Sequence, residues 1–235
     1  MKATSATVSV EALGRLDLFK GLAPPALAEV RASGRLRTIA KGKTIFAQGD
    51  QATACHALIK GRVRIAQSDE DGGQLIMRFI GPGQMFGTMA LFTDRRYPAE
   101  AHAVTDSIEI SWPESALRGL IKRHPDIALN IIAIIGTRIR EVQERLRELA
   151  TQRVERRIAH TILRLAEQAG LASGGTMTID FPLTRRDLAE MCGTTLHNAS
   201  RILTAWERRK LVATSKRRLM LRDREGIRRI AYDLV

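Results

Sequence analysis

The stretch from Thr184 to Trp206 constrains the fold more than any other part of the chain, because it contains two short amphipathic helices joined at a glycine. Thr184 followed by Asp187 predicts a capping box that starts the first helix. The apolar side chains of this helix are Leu188, Ala189 and Met191. Gly193 interrupts the period, and Thr194 is a suitable N-cap for the second helix.

Apolar residues on the second helix recur at steps of three and four and are predicted to face inward: Ala199, Ile202, Leu203 and Trp206. Compact donors and acceptors remain outside: His197, Asn198, Ser200 and Arg201. A helix-turn-helix needs a small residue where its helices cross, a glycine at the turn and an apolar anchor, and Ala189, Gly193 and Ala199 supply them at that spacing. An αα-hairpin within a core is the alternative, but the outer side chains suit base edges.

The length and the charge distribution fit a two-domain protein that binds DNA. A chain of 235 residues with 44% hydrophobic content exceeds the usual size of one domain and can fill two cores. The net charge is +13, and the basic excess is larger after Gln152, where 17 basic and 9 acidic residues follow, against 21 and 16 up to that point. A basic domain with a helix-turn-helix is typical of a duplex DNA binder.

Other classes of protein lack their usual sequence features here. Cys55 and Cys192 indicate neither a disulfide framework nor a CxxC metal site, which favours an intracellular protein. No apolar run approaches about 18 residues and the N-terminus does not resemble a signal peptide, so we expect a soluble cytoplasmic protein without a membrane partner. No nucleophile triad order, P-loop, paired carboxylates or metal-ligand spacing is present, and we do not expect an enzyme.

Short strands separated by glycine turns are predicted between Leu36 and Trp112. We predict strands at 35–39, 44–47, 54–60, 62–67, 75–80, 85–86, 99–104 and 107–112, after helical segments at 10–19 and 24–32. This spacing is typical of a sandwich or a small barrel, whose interior is filled by side chains or by a ligand.

Helix starts are predicted at Glu114 and at Pro125-Asp126, and the second leads into a long helix with an apolar seam. The seam residues are Ile132, Ile135, Ile139, Val142, Leu146 and Leu149. Charged residues flank them, as in a coiled coil, and the pattern predicts a parallel homodimer. The alternative is a helix that packs only on its own β domain. A dimer also suits the helix-turn-helix, because one recognition helix reads too few base pairs to locate a genomic site.

The C-terminal part continues through a hinge at 151–153 and a helix to a loop at 170–175 and a strand at 177–181. After the helix-turn-helix, Leu211 to Leu221 reads as a β-hairpin wing. Basic residues lie at its tip, where we expect phosphate contacts: Lys216, Arg217 and Arg218. Asp223 caps a closing helix.

The order of a β-roll, a long helix, a hinge and a winged helix-turn-helix resembles the CRP/FNR superfamily of bacterial transcription regulators over nearly the whole chain. The stretches that carry the resemblance are GKTIFAQGD (42–50), LIKGRVRI (58–65), GPGQMFGTMALF (81–92), HPDIALNII (124–132), RIAHTILRLA (157–166) and TRRDLAEMCGTTLHNASRIL (184–203). The resemblance implies an α+β fold with a cyclic-nucleotide-binding-like β-roll with its N-terminal helices (1–113), a dimerisation helix (114–151) and a winged helix-turn-helix domain (152–235).

Departures from the family's sequence patterns reduce the number of effectors that the chain is expected to bind. Gly87-Thr88 and Tyr97-Pro98 stand where cyclic-AMP binders have Gly-Glu and Arg-Ser, so the acceptor for the ribose and the cation for the phosphate are missing and we do not expect cyclic AMP. No cysteine occurs before Cys55, which excludes the N-terminal iron–sulfur cluster of FNR-type sensors. The resemblance also makes haem a candidate, because related nitric-oxide-responsive and carbon-monoxide-responsive members are linked to it. Its candidate ligands are His56, His102 and His124, with His102 best placed on the strand that lines the ligand pocket in relatives.

FNR-like regulators read DNA with Glu-x-x-Ser-Arg, and this chain has His197-Asn198-Ala199-Ser200-Arg201. The resemblance implies that Ser200 and Arg201 read the TTG part of a half-site, and an arginine can bind guanine through two hydrogen bonds. His197 replaces the glutamate, which leaves the neighbouring base position open. The expected base contacts are His197, Ser200 and Arg201; the expected backbone contacts are Thr184, Thr194, Thr195, Asn198, Lys216, Arg217 and Arg218.

The run LHNASRILTAWE at 196–207 is similar to that of NnrR-type, nitric-oxide-responsive regulators of denitrification. We therefore expect a homodimeric activator that binds a TTG-N8-CAA palindrome, works with RNA polymerase and controls denitrification and nitric-oxide-response genes. Three alternatives stay open. The regulator responds to cysteine redox chemistry or another small ligand; it is constitutive, with the roll as a scaffold; or the chain is a binding module with weak or architectural DNA contacts.

Overall fold

The computed structural model describes residues 8–71, 73–173, 176–215 and 217–234, with only the backbone described at 172 and 173. The chain divides into two compact units, Met1–Gln67 with Phe79–Arg140 and Ser68–Arg78 with Glu141–Val235. None of the helices in the described ranges is both long and apolar enough to span a bilayer.

Among the described residues of the first part of the chain, short helices precede eight strands, as predicted. The strand ends agree with the predicted ends to within one residue. The helices that precede the strands are α1 (Val10–Gly14), a 3-10 turn (Asp17–Phe19) and α2 (Pro24–Ser33). The strands are β1 (Arg35–Ile39), β2 (Thr44–Phe46), β3 (Ala54–Lys60), β4 (Val63–Ser68), β5 (Gln74–Ile80), β6 (Met85–Phe86), β7 (Glu100–Ala103) and β8 (Ser107–Pro113). A second 3-10 turn, Met89–Phe92, lies between β6 and β7.

The eight strands form two antiparallel sheets, in the orders β1-β8-β3-β6 and β2-β7-β4-β5. The central pairing joins β3 to β8, where His56 lies opposite Ser111 and Leu58 opposite Glu109. Side chains fill the core, which includes Leu58, Ile80 and Ile110. Trp112 lies edge-on to Phe19 and donates its indole N–H to the carbonyl of Val30 over 2.8 Å, so the N-terminal helices are joined to the roll through this side chain.

Two helices follow the roll, α3 (Glu114–Arg123) and the 26-residue α4 (Asp126–Thr151). The predicted break is present, because the next helix, α5 (Val154–Ala169), begins only after Arg153, whose extended backbone serves as N-cap. The remaining elements are β9 (Gly170–Ser173), β10 (Thr176–Ile179), α6 (Arg185–Cys192), α7 (Leu196–Arg208), β11 (Val212–Ser215), β12 (Arg218–Leu221) and α8 (Arg224–Tyr232).

The C-terminal sheet has the order β11-β12-β10-β9 and corrects one prediction. The sequence predicts a loop at 170–175, but residues 170–173 form β9, in which Gly170 lies opposite Ile179 of β10. Residues 174 and 175 lie outside the described residues. The stretch has no alternation of apolar side chains, and its extended form depends on the hydrogen bonds of its neighbour. The strand predicted at 177–181 corresponds to β10, which ends earlier, at Ile179 rather than at Phe181.

Candidate DNA-binding site

Helix α6 begins with the predicted capping box. The hydroxyl of Thr184 accepts a hydrogen bond from the backbone N–H of Asp187 over 3.1 Å, and the carboxylate of Asp187 accepts one from the N–H of Thr184 over 2.7 Å. The helix ends at Gly193, whose φ of 58° and ψ of 51° are left-handed and favour glycine. Leu188, Ala189 and Cys192 are buried, whereas Met191, predicted to face inward, is half-buried.

Helix α7 is capped by Thr195, and not by Thr194 as predicted. The hydroxyl of Thr195 accepts from the N–H of Asn198 over 3.2 Å. The N–H of Thr194 instead bonds to the carbonyl of Ala189, which makes Thr194 part of the turn. The reason is the length of the left-handed turn at the end of α6, which requires one more residue than the sequence pattern suggested.

The two faces of α7 agree with the prediction. Ala199, Ile202, Leu203 and Trp206 are buried. His197 and Arg201 are exposed, and Asn198 and Ser200 are half-buried. His197 and Arg201 are four positions apart and therefore lie on one face. Leu196, which the sequence reasoning missed, is 44% exposed at the first turn of this helix.

Arg185 is a second residue that the sequence reasoning missed, and it fixes α6 against α7. Its guanidinium donates to the carbonyl of Ser200 over 3.3 Å, to the hydroxyl of Thr204 over 3.0 Å and to the carboxylate of Glu207 over 2.9 Å. A planar guanidinium holds such partners in fixed directions, so the face that carries Ser200 is oriented by a residue of the neighbouring helix. A basic residue at the start of α6 was the only available signal.

The hairpin wing is present as β11 and β12. Lys216 lies outside the described residues. Arg217 is exposed with a φ of 61°, and its carbonyl accepts from the N–H of Leu183. Arg218 is exposed and lies 3.7 Å from the carboxylate of Asp180.

The expected backbone contacts on the helix-turn-helix lie around the turn and the two helix starts. Thr184 and Thr195 are exposed, and Thr194 and Asn198 are half-buried. The hydroxyl of Thr184 donates to the carboxylate of Asp187, so this proton is already used within the chain.

The predicted seam of α4 is largely uncovered. Ile132, Ile139, Val142, Leu146 and Leu149 are exposed large apolar side chains, whereas Ile135 is half-buried. Leu129, one turn earlier, is also 64% exposed and was missed. An apolar row of this length on a single helix is a surface that a partner helix would cover.

The haem candidate His102 lies on β7, where buried and half-buried residues alternate. Ala101 and Ala103 are buried, and Ala101 belongs to the core, whereas His102 lies on the opposite face of the strand. Its neighbours across the sheet are Thr44 and Arg64. The position of His102 therefore does not fit an axial ligand to a haem enclosed in the core of the roll. His124 lies on the surface, within 3.3 Å of the Glu29 carboxylate.

A network of polar side chains lies within the roll around the buried His56, and the sequence reasoning did not find it. Nδ1 of His56 lies 3.3 Å from the carboxylate of Glu109, which is fully buried, and Nε2 lies 3.3 Å from the hydroxyl of Tyr97. Arg37 reaches the other oxygen of Glu109 over 2.7 Å. Burial raises the pKa of Tyr97, whose hydroxyl donates to the carbonyl of Ala54 over 2.7 Å. The one available signal was a glutamate between two isoleucines in β8.

Aromatic rings pack against this polar network next to Gly87. The ring of Tyr97 stacks on Phe46 at 3.7 Å between centroids, and His56 stacks on Phe86 at 5.1 Å. A Cβ on Gly87 would lie 3.1 Å from both His56 and Tyr97. Tyr97, which replaces the phosphate-binding arginine of the resembled cyclic-AMP binders, is therefore part of the packed interior.

Both cysteines are buried thiols without a disulfide. Burial raises the pKa of Cys55 to about 12, and burial also raises the pKa of Cys192. Because the thiolate is the reactive form, these environments do not favour rapid oxidation.

Comparisons with known proteins agree with this arrangement of a roll and a helix-turn-helix. Residues 36–124 match the cyclic nucleotide-binding domain, and residues 156–230 match the Crp-like helix-turn-helix domain. The cyclic AMP receptor protein of Thermus thermophilus is 30% identical over 217 residues, which cover 92% of this chain and 97% of that protein. A CRP-like cAMP-activated global transcriptional regulator of Mycobacterium tuberculosis is 26% identical over 221 residues, covering 94% and 99%. The solved structure of FixK2 from Bradyrhizobium japonicum has a TM-score of 0.74 at 22% identity, covering 84% of this chain and 96% of that one.

A nucleotide-binding-type roll joined to an exposed recognition helix defines a DNA-binding transcription regulator, and not an enzyme. The chain belongs to the CRP/FNR family of these regulators.

Proposed function

We propose that the protein is a homodimeric activator that binds a TTG-N8-CAA palindrome and controls denitrification and nitric-oxide-response genes through RNA polymerase. The single observation that supports this most is the outer face of α7, where Arg201 is exposed and Ser200 is half-buried in the order of the FNR-like motif. Arginine binds guanine with two hydrogen bonds, and a small hydroxyl fits beside thymine. The likeness of LHNASRILTAWE to NnrR-type regulators supports the nitric-oxide response.

The homodimer is supported by the uncovered apolar row on α4. Two such rows, packed in parallel, would remove these side chains from water and place two recognition helices on one palindrome. Leu196 is exposed beside the base-reading residues, and we assign it an apolar contact with a thymine methyl group.

The signal has two candidates. Haem is the candidate cofactor for nitric oxide by resemblance to gas-responsive members, but the position of His102 does not support it. The second candidate is a regulator that is constitutive or responds to another small ligand. It is supported by the ring of Tyr97, which packs on Phe46 within the roll. The relatives' cyclic AMP is not expected, since Thr88 and Tyr97 offer neither a carboxylate for the ribose nor a cation for the phosphate.

Two measurements test the proposal. Binding of the wild-type protein to a TTG-N8-CAA duplex is compared with binding to a scrambled duplex and to a duplex with one half-site. We expect the palindrome to be preferred, and equal affinity for all three would refute the proposed site.

An anaerobic absorption spectrum with added haem, with and without nitric oxide, decides between the two signals. A Soret band that shifts together with tighter DNA binding supports the gas sensor. No haem uptake with unchanged specific binding supports the second candidate.

A further inference from the structure

One arginine joins the end of α4 to the turn of the helix-turn-helix. Arg157, in the first turn of α5, donates from Nη1 to the carbonyl of Gln152 over 3.0 Å, just beyond the last residue of α4. It also donates from Nε to the carbonyl of Cys192 over 3.0 Å and from Nη2 to the carbonyl of Gly193 over 3.2 Å. The last carbonyls of a helix have no partner within it, so a cation placed there is bound by both hydrogen bonds and the helix dipole.

A second connection runs beside the first. Glu148, in the last turns of α4, is buried and accepts two hydrogen bonds from Arg164 of α5, over 2.5 and 3.1 Å. Arg164 also donates to the hydroxyl of Thr161, which lies 3.3 Å from the thiol of Cys192. Both connections therefore lead from the last turns of α4 to the turn at Cys192 and Gly193.

This turn sets the direction of the recognition helix. Gly193 is left-handed and has little room, because a Cβ there would lie 3.1 Å from the side chain of Leu149 on α4. Helix α7 begins only three residues later, at Leu196. A guanidinium with a fixed fork of donors restricts the angle between the end of α4 and this turn more strongly than a flexible ammonium would.

We propose that Arg157 is a positioning residue that sets the direction of the recognition helix relative to the dimerisation helix, and thereby selects the spacing between half-sites. The inference rests on the proposed homodimer and its palindrome. Arg157 itself need not touch DNA. Its effect is therefore on the spacing preference, and not on the affinity of one recognition helix for one half-site.

The test is Arg157→Lys, which keeps the charge but cannot reproduce the three bonds. Affinities are measured for duplexes with spacers of N7, N8 and N9 and for a duplex with one half-site. For the variant we expect the preference for N8 to fall about tenfold, in line with the loss of one or two charge-assisted hydrogen bonds. Affinity for the single half-site stays within about twofold of the wild type, because α7 keeps its own contacts.

Arg156→Lys is the matched control. Arg156 is the preceding residue on the same helix, and its guanidinium donates to the carbonyl of Ala231 over 3.2 Å, away from the hinge and the turn. This variant should keep the wild-type spacing preference. Glu148→Gln, which weakens the second connection, should lower the preference in the same direction as Arg157→Lys and provides a second variant if the first unfolds in thermal melts.

The outcomes separate the inference from the function on which it rests. A wild-type protein that binds all spacers equally would refute the proposed dimeric site, and this inference with it. A wild-type preference for N8 that both Arg157→Lys and Glu148→Gln retain would refute the inference alone. The same holds if Arg157→Lys lowers half-site affinity and melting temperature while the preference for N8 is unchanged, since that is the behaviour of a purely structural residue.

Discussion

Arg201 and Arg185 lie on adjacent helices, but the structure gives them different tasks. Arg201 is exposed on α7, whereas Arg185 is held by Ser200, Thr204 and Glu207. The first guanidinium is exposed, as the proposed contact with a base requires, and the second orients the face of α7 that carries Ser200. Two arginines of the same helix-turn-helix therefore differ in their role: one is exposed to solvent and the other holds the two helices together.

Replacing Arg201 by alanine should weaken binding to the palindrome by about 1–3 kcal/mol, because a two-bond contact to guanine is lost. Binding to random DNA should change little. Fluorescence anisotropy with both duplexes measures the difference. Arg208→Ala, at the far end of α7, is the control and should not reduce the ratio between the two affinities. An equal loss by Arg201→Ala on random DNA would contradict the base-reading role.

The polar network in the roll consists of Arg37, Glu109 and His56, with Tyr97 beyond His56, and it is centred on the carboxylate of Glu109. Glu109 is fully buried, and both of its oxygens lie near a nitrogen of a neighbouring strand. Replacing the carboxylate by a neutral amide removes the negative charge that lies 2.7 Å from the guanidinium of Arg37 and 3.3 Å from the buried ring of His56. Removing the half-exposed Arg37 instead allows other groups and water to respond.

Glu109→Gln should therefore lower the free energy of unfolding by about 1–3 kcal/mol, because the buried group keeps its shape but loses the charge that faces Arg37 and His56. Urea denaturation at neutral pH measures it. Arg37→Gln is the comparison and should cost less than about 1 kcal/mol, because the arginine side chain is half-exposed. If the two variants lower the free energy of unfolding equally, the buried part of the polar network is not what stabilises the roll.

At the scale of elements, the helix-turn-helix depends on the caps of its two helices. The capping box of α6 formed where the sequence predicted it, but the cap of α7 lies one residue later, at Thr195. A cap stabilises a helix by giving an otherwise unpartnered N–H its acceptor, so its position is a matter of hydrogen-bond geometry.

Thr195→Ala should lower the free energy of unfolding by about 1 kcal/mol, the usual cost of a lost N-cap. Thr194→Ala should cost clearly less, because the observed bond of Thr194 to Ala189 is made by its backbone. Thermal and urea unfolding of the pair, with circular dichroism as the signal, measure this. A larger loss for Thr194→Ala would place the cap of α7 at Thr194 instead.

The apolar row of α4 leads to a prediction about assembly. Leu146→Glu places a charge in the row, and it should convert the proposed dimer to a monomer, because burying an unpaired carboxylate against a partner helix is costly. Since Leu146 is 66% exposed in the single chain, the fold of the protomer should be unaffected. Sedimentation velocity and circular dichroism measure the two effects. Gln143→Glu, an exposed neighbour outside the row, should stay dimeric.

At the scale of the whole molecule, the net charge of +13 favours duplex DNA of any sequence, and the recognition helix selects among sequences. Each phosphate contact releases counterions, so affinity should fall steeply as salt rises. Exposed Arg217 at the wing is a candidate for one such contact in each protomer.

Arg217→Gln should make the slope of log affinity against log salt less negative by about 2 for the dimer, one unit per lost contact in each protomer. The change should be the same on the palindrome and on random DNA, because phosphates carry no sequence information. Arg118→Gln, an exposed arginine on α3, should leave the slope unchanged. An unchanged slope for Arg217→Gln would remove the wing tip from the DNA contacts.

The sequence alone determined the features that depend on residues near one another in the chain. The capping box at Thr184, the apolar face of α7, the row on α4 and the positions of the strands along the roll all follow from short-range periodicity and turn residues. The cap at Thr195, the strand β9, the buried pairing of His56 with Glu109 and the bonds of Arg157 were decided only by the tertiary structure. Each of these depends on a partner brought close by the fold or on the exact path of a turn, and neither is encoded in local spacing.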